Sequence, residues 1–144
     1  MSSGPLHSVS VAAVITGADG RVLAVRRRDN GHWESPGGVL ELEESVYDGL
    51  RREVEEETGL LVEAGELTGV YENLARGVVA LVFRCEVLSG SPRPTAESAE
   101  VAWLTVAEVR ERMAEVYAVR VLDALSDRSD RPAVRSHDGR RVTS

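Results

Sequence analysis

The chain has 144 residues, 42% hydrophobic and 28% charged, which suits one ordinary globular domain with a buried core and is too short for two. No apolar run approaches the roughly 18 to 20 residues that span a bilayer, so a membrane protein is excluded. Its net charge of −7, from 17 basic and 24 acidic residues, has the wrong sign for stable nucleic-acid binding through phosphates.

The opening MSSGPLHSVS lacks the basic start and apolar stretch of a secretory signal, and a cytoplasmic location is expected. A single cysteine, Cys85, excludes an internal disulfide and a multi-cysteine zinc site. Within ALVFRCEVL it reads as a small buried strand residue. Every basic residue is arginine, which removes any Schiff-base or phosphate-clamping lysine chemistry.

Residues 8–15, SVSVAAVI, are β-branched and apolar enough for a strand. GADG then turns the chain, and RVLAVRR (21–27) reads as the returning arm of a hairpin. The loop RDNGHWESPGG follows. From Ser45 to Thr58 the pattern is helical: Val46, Leu50 and Val54 form a stripe, Ser45 is placed to cap, and Gly59 stops the helix. Residues 61–74 and 77–90 read as a pair of longer antiparallel strands. SPRPTAESAE is a loop and VAWLT a short strand. Helices are expected from residue 105 or 106 to 113 and over 116–125, the second amphipathic through Val116, Val119, Leu122 and Leu125. The domain therefore occupies residues 1–125. Residues 126–144, polar and almost without apolar anchors, are expected to form a flexible tail. Strands flanking a helix, with helices again at the end, give an α/β layered fold with a mixed sheet.

Eight carboxylates fall between Glu41 and Glu57. On the helix, Glu53, Glu56 and Glu57 stand at i, i+3 and i+4, which places them on one face. Three like charges so close need a cation. Arg52, four residues before Glu56, reaches one of them, but a single arginine cannot neutralise three acids. Hard oxygen ligands of this kind suit Mg²⁺ or Mn²⁺. A solvated acidic face is the plainer reading of such a run taken alone.

The stretch from Gly38 to Leu60 resembles the signature of the Nudix hydrolases, G-x5-E-x7-R-E-U-x-E-E-x-G-U, where U is a bulky aliphatic residue. Gly38, Glu44, Arg52, Glu53, Val54, Glu56, Glu57, Gly59 and Leu60 fill its nine positions without substitution. Such a match is far more specific than a lone glycine motif. The weaker likeness of WESPGG and EVAWLTVAEV extends the resemblance over roughly residues 8–125.

The resemblance implies an α/β/α sandwich in which the motif forms loop, helix and loop. It also implies metal-dependent hydrolysis of a nucleoside diphosphate linked to another moiety. Glu53, Glu56 and Glu57 would ligate Mg²⁺ or Mn²⁺ with the main-chain carbonyl of Gly38. Arg52 would orient a glutamate, Glu44 would brace the loop by an ion pair, and Gly59 would end the helix. The general base would be a glutamate of the motif or a later one, Glu97 in preference to Glu100. Arg26 and Arg27, with Arg28, could meet a phosphate or a base. Trp33 could stack on a base, and Tyr71 and Asn73 could line the pocket. Markers for ADP-ribose, dinucleoside polyphosphates and coenzyme A are missing, which leaves a nucleoside triphosphate, oxidised ones included, or a nucleotide sugar. The family often forms homodimers. The alternative is a nucleotide-sensing module without turnover, for which eroded glutamates and an appended DNA-binding domain would be expected.

Overall fold

In the computed structural model, which describes residues 5–127 and 132–144, strand β1 (Ser8–Ile15) buries every residue from Val11 to Ile15. A strand covered on one face would alternate, so such a run belongs to the middle of a sheet with both faces covered. β1 indeed lies between two partners. It pairs antiparallel with the short β4 (Gly37–Val39) and parallel with β6 (Val78–Ser89). The five-stranded sheet is completed by β5 (Leu61–Asn73), antiparallel to β6, and by β8 (Ala133–His137), parallel to β5, in the order β4-β1-β6-β5-β8. The expected mixed sheet and the 61–74/77–90 pairing are both present.

The expected hairpin between residues 8–15 and 21–27 is corrected. β2 (Val22–Arg27) joins a second sheet with β3 (Trp33–Glu34) and β7 (Ser98–Leu104), in the order β3-β2-β7. Only an isolated Thr16–Val22 bridge links the two arms. The GADG turn therefore carries the chain from one sheet to the other, because β1 is already hydrogen-bonded on both edges.

Helix α1 (Val46–Thr58) begins where the Ser45 hydroxyl accepts the Asp48 N–H. It ends at Gly59, which has φ 79° and returns its N–H to the Glu55 carbonyl at 2.8 Å; only glycine takes that left-handed conformation without strain. Leu50 and Val54 pack with Val11, Ala13, Ile15 and Leu23 in one apolar core. A second core lies on the other side, where Val109 and Met113 join Ala118, Val121 and Ala124 of α3 (Glu115–Leu125) against Val14, Ala24 and Val82. Val109 belongs to α2 (Val106–Arg112), which starts with a reciprocal Thr105–Glu108 capping box. Helices on both faces make the α/β/α sandwich. Of the expected 116/119/122/125 stripe, Val116 is buried and Val119 and Leu125 pack against the second core, and the inward face also takes in Ala118, Val121, Asp123 and Ala124. The buried carboxylate of Asp123 accepts the Tyr71 hydroxyl at 2.7 Å and the Arg135 guanidinium at 2.7 and 2.8 Å.

The expected flexible tail is corrected where it is described. Residues 128–131 lie outside the described residues, but Ala133–His137 forms a strand whose ends, Ala133 and His137, are buried. Its sequence, AVRSH, carries little apolar signal because the strand is anchored by the free edge of β5 and by the Arg135–Asp123 ion pair. No helix among the described residues is long and apolar enough to cross a membrane.

Candidate active site

The loop before α1 and the helix itself are joined by Arg52. Its guanidinium donates to both carboxylate oxygens of Glu44, to Glu53 Oε1 at 2.8 Å and to Glu56 Oε2 at 3.2 Å. Glu44 also accepts the Glu41 N–H at 3.0 Å, and Arg52 holds its carboxyl down at about 2. Glu44 is thus tied to the loop and to the helix. One planar fork serves three acids, a task for which arginine's geometry is suited.

The three helix glutamates separate into two environments. One oxygen each from Glu53, Glu56 and Glu97 lie within 4.8 Å of one another. Glu57 is not in that group, although Glu53 and Glu97 raise its carboxyl by their charge: it is 7% exposed and its Oε1 accepts the Gly37 N–H at 2.9 Å. Burial pushes its carboxyl up to about 8, against the lowering effect of that hydrogen bond. Glu53, 9% exposed, is also raised by burial while Arg52 pulls it down. The i, i+3, i+4 spacing therefore brings Glu53 and Glu56 to the cluster, and Glu57 to the β4 backbone.

Glu97 reaches the cluster from a different element. The Ser98 hydroxyl donates to the Glu57 main-chain carbonyl at 2.7 Å, and the Arg93 N–H to that of Thr58 at 3.0 Å. These bonds fasten the loop before β7 to the end of α1. Glu100 is engaged elsewhere, 2.7 Å from Arg26 across the β2–β7 ladder. Gly38 packs so closely on Glu53 that a Cβ there would run into its carboxylate. The donor set is all oxygen and acidic, drawn from a rigid helix and a tethered loop. That chemistry fits a hard divalent cation.

A cleft of about 380 Å³ opens from Gly37 and Gly38 away from the cluster. Arg27 lines it, held by Asp29 at 2.7 and 2.8 Å and by Glu34 at 3.3 Å. Burial raises the Glu34 carboxyl, and the Arg27 charge opposes it. Asn73 lines the cleft as well. Arg26 is not part of the lining and pairs with Glu100 instead. Arg28 donates to the Thr95 carbonyl at 3.0 and 3.2 Å, which secures the Glu97 loop. Trp33 packs against the second core under Arg112, 6.0 Å from the ring.

Tyr71 is a correction. It was expected on the pocket wall, but it is 0% exposed and belongs to the second core, with its hydroxyl on Asp123. The register of β5 turns it beneath the sheet, where a phenol with a buried acceptor is more stable than one in an open cleft.

Residues 6–125 match the family described as NUDIX domain. The chain belongs to the NUDIX family. It is 61% identical to a MutT-like protein of Streptomyces ambofaciens over 141 residues, which cover 98% of this chain and 90% of that one. It is 34% identical to an ADP-ribose pyrophosphatase of Methanocaldococcus jannaschii over 92 residues, covering 59% and 54%. Among solved structures, an ADP-ribose pyrophosphatase from Streptococcus suis shares 25% identity with a TM-score of 0.74, over 90% of this chain and 98% of that one. The protein is a Nudix hydrolase by fold, motif and relatives.

Sequence reasoning missed Ser98, Glu34, Arg120 and His137. Ser98 acts through a backbone carbonyl, and no residue pattern marks that. Arg120 and His137 also line the cleft. The one available signal was a lone arginine in the middle of an otherwise amphipathic helix. His137 lay in the segment read as tail.

Proposed function

We propose that this Nudix protein hydrolyses the diphosphate linkage of a small nucleoside diphosphate derivative with Mg²⁺ or Mn²⁺ as cofactor. The observation that carries the reading is the convergence of Glu53, Glu56 and Glu97 oxygens within 4.8 Å, from two separate elements, beside the cleft. Glu53 and Glu56 would hold the cation, with the Gly38 carbonyl as a further ligand, and Glu97 would stand beside it as the base. The bound cation would neutralise diphosphate charge and make a water more acidic.

The chain's own residues do the rest. Arg52 fixes the Glu53 and Glu56 carboxylates and offsets part of their mutual repulsion. Glu97, delivered by the tethered loop and without the arginine partner that engages Glu100, accepts the proton of the attacking water. Glu57 keeps β4 on α1 through Gly37, the neighbour of Gly38 in the cleft lining. The nucleoside end enters the cleft past Arg27. The scissile group is a nucleoside triphosphate or a nucleotide sugar. The names of the Methanocaldococcus jannaschii and Streptococcus suis relatives add ADP-ribose to the panel.

The test is product release from nucleoside triphosphates, nucleotide sugars and ADP-ribose, with Mg²⁺, with Mn²⁺ and with chelator, beside Glu56→Gln. Metal-dependent turnover that collapses in the variant is expected. A folded protein that binds nucleotide but turns over none of the panel would favour a sensing module.

A further inference from the structure

The cleft contains two buried donors that no acceptor among the described residues satisfies. His137, 3% exposed, accepts the Gly139 N–H on Nδ1 at 3.1 Å. The neutral ring therefore carries its proton on Nε2, and Nε2 is buried without a hydrogen-bond partner among the described residues. Arg120, on α3, likewise has a buried Nε with no such partner. Its guanidinium is held over two rings, 5.4 Å from the centroid of Tyr71 and 5.3 Å from that of Tyr117. Both residues line the cleft that begins at Gly37 and Gly38. Buried donors left without acceptors carry the full cost of their desolvation, so their pairing awaits a group that enters the cleft.

We propose that Arg120 and His137 are specificity-determining residues that receive the adjacent carbonyl and ring-nitrogen acceptors of a 6-oxopurine, as in guanine and hypoxanthine nucleotides. The proposal rests on the hydrolase reading and names a substrate class for that same cleft. Arginine offers donors only. The O6 and N7 edge of a 6-oxopurine offers two acceptors side by side, whereas adenine places an amino donor where O6 would be. A donor facing a donor leaves both unpaired, which is a strong basis for rejection.

A phosphate is the other acceptor-rich group a nucleotide carries. Glu34 and Asp29 line the same cleft, and the Glu34 charge is felt at Arg120. Arg27 and Arg76 line it too, so the inorganic-phosphate arm of the experiment separates a phosphate from the base edge. His137 belongs to β8, beyond the 6–125 span that matches the family. This half of the recognition is therefore supplied by the chain's last strand.

The experiment is calorimetric binding of GMP, IMP, AMP and inorganic phosphate to the chelator-treated full chain, for wild type, Arg120→Met, Arg120→Lys and His137→Phe. GTP, ITP and ATP turnover with Mg²⁺ runs alongside. GMP and IMP are expected to bind alike, each about tenfold or more tighter than AMP. All three variants are expected to erase that preference. Arg120→Lys keeps the charge but loses the planar fork, so it covers the case in which the methionine variant fails to fold. AMP bound as tightly as GMP, IMP bound like AMP, or a preference that survives in the folded variants would overturn the proposal. So would variants that lose phosphate binding and keep the base preference, since the donors would then serve a phosphate. Base preference without turnover of any nucleotide would overturn the hydrolase reading and leave this one standing.

Discussion

Arg52 and Glu44, eight residues apart, form a two-pronged ion pair in which Arg52 Nη2 stands 2.9 Å from Glu44 Oε1 while Nε engages the second oxygen. Glu44 belongs neither to the Glu53–Glu56–Glu97 cluster nor to the cleft lining, yet it sets the orientation of the guanidinium that holds Glu53 and Glu56. Glu44→Gln keeps the shape and removes the charge. It is expected to weaken Mn²⁺ binding and turnover by about 10- to 100-fold, the usual effect of losing a partner behind a metal ligand. Manganese titration followed by electron paramagnetic resonance reads the affinity. An unchanged titration would mean that Arg52 needs no brace.

Tyr71 and Asp123 offer the opposite case, a buried polar pair away from the chemistry. Tyr71→Phe deletes a hydroxyl that donates to a carboxylate at 2.7 Å in a buried setting. A loss of about 1.5 to 3 kcal/mol is expected in urea unfolding, because the bond is to a charged group. Asp123 keeps Arg135. Turnover should stay within a few-fold of wild type. A large rise in KM at unchanged stability would return Tyr71 to the pocket wall.

What the sequence disclosed follows how local each signal is. Gly38 to Leu60 is one continuous stretch, so its capping serine, its apolar stripe and the Arg52–Glu56 spacing could be read from positions alone. Glu97 could be named because it lies farther into a loop after the motif, whereas Glu100 adjoins a strand. The parallel pairing of β8 with β5 could not, since it joins residues more than sixty positions apart and its strand is too polar to announce itself. The β1–β2 hairpin was misread for the same reason: whether a second strand folds back or crosses to another sheet depends on partners far along the chain. Tyr71 shows a third limit, in that a strand residue's facing depends on a register containing bulges.

The buried histidine sets a pH dependence. Burial, with the Arg120 charge as a second cause, lowers the His137 pKa below its ordinary 6.5, and Asp138 only partly opposes this. The unfolded chain therefore takes up the proton more readily than the folded one. The stability His137 contributes is complete above about pH 6.5 and is lost as pH falls below it, with a slope of at most about 1.4 kcal/mol per pH unit for one proton. Melting of wild type and His137→Gln from pH 8 to 5 should show the wild type losing stability more steeply. Parallel curves would mean that the folded and unfolded chains protonate His137 alike.

Ending the chain after Asp127 tests whether the last strand belongs to the fold. The truncation removes the parallel partner of β5, the buried Ala133 and His137 side chains, and the Arg135 guanidinium that grips Asp123 from 2.7 Å. Breaking a buried ion pair by deleting one partner costs on the order of 3 kcal/mol or more. For a chain of this size that lowers Tm by at least about 5 °C. The exposed β5 edge would also present unpaired backbone groups to other molecules, and self-association is expected on heating. The motif from Gly38 to Leu60 stays intact, so the truncated chain should still bind Mn²⁺ below its Tm. Because the truncation also strips His137 from the cleft wall, it should lose nucleotide discrimination before it loses metal. A truncated chain that melts with the full-length protein would make β8 dispensable to the fold.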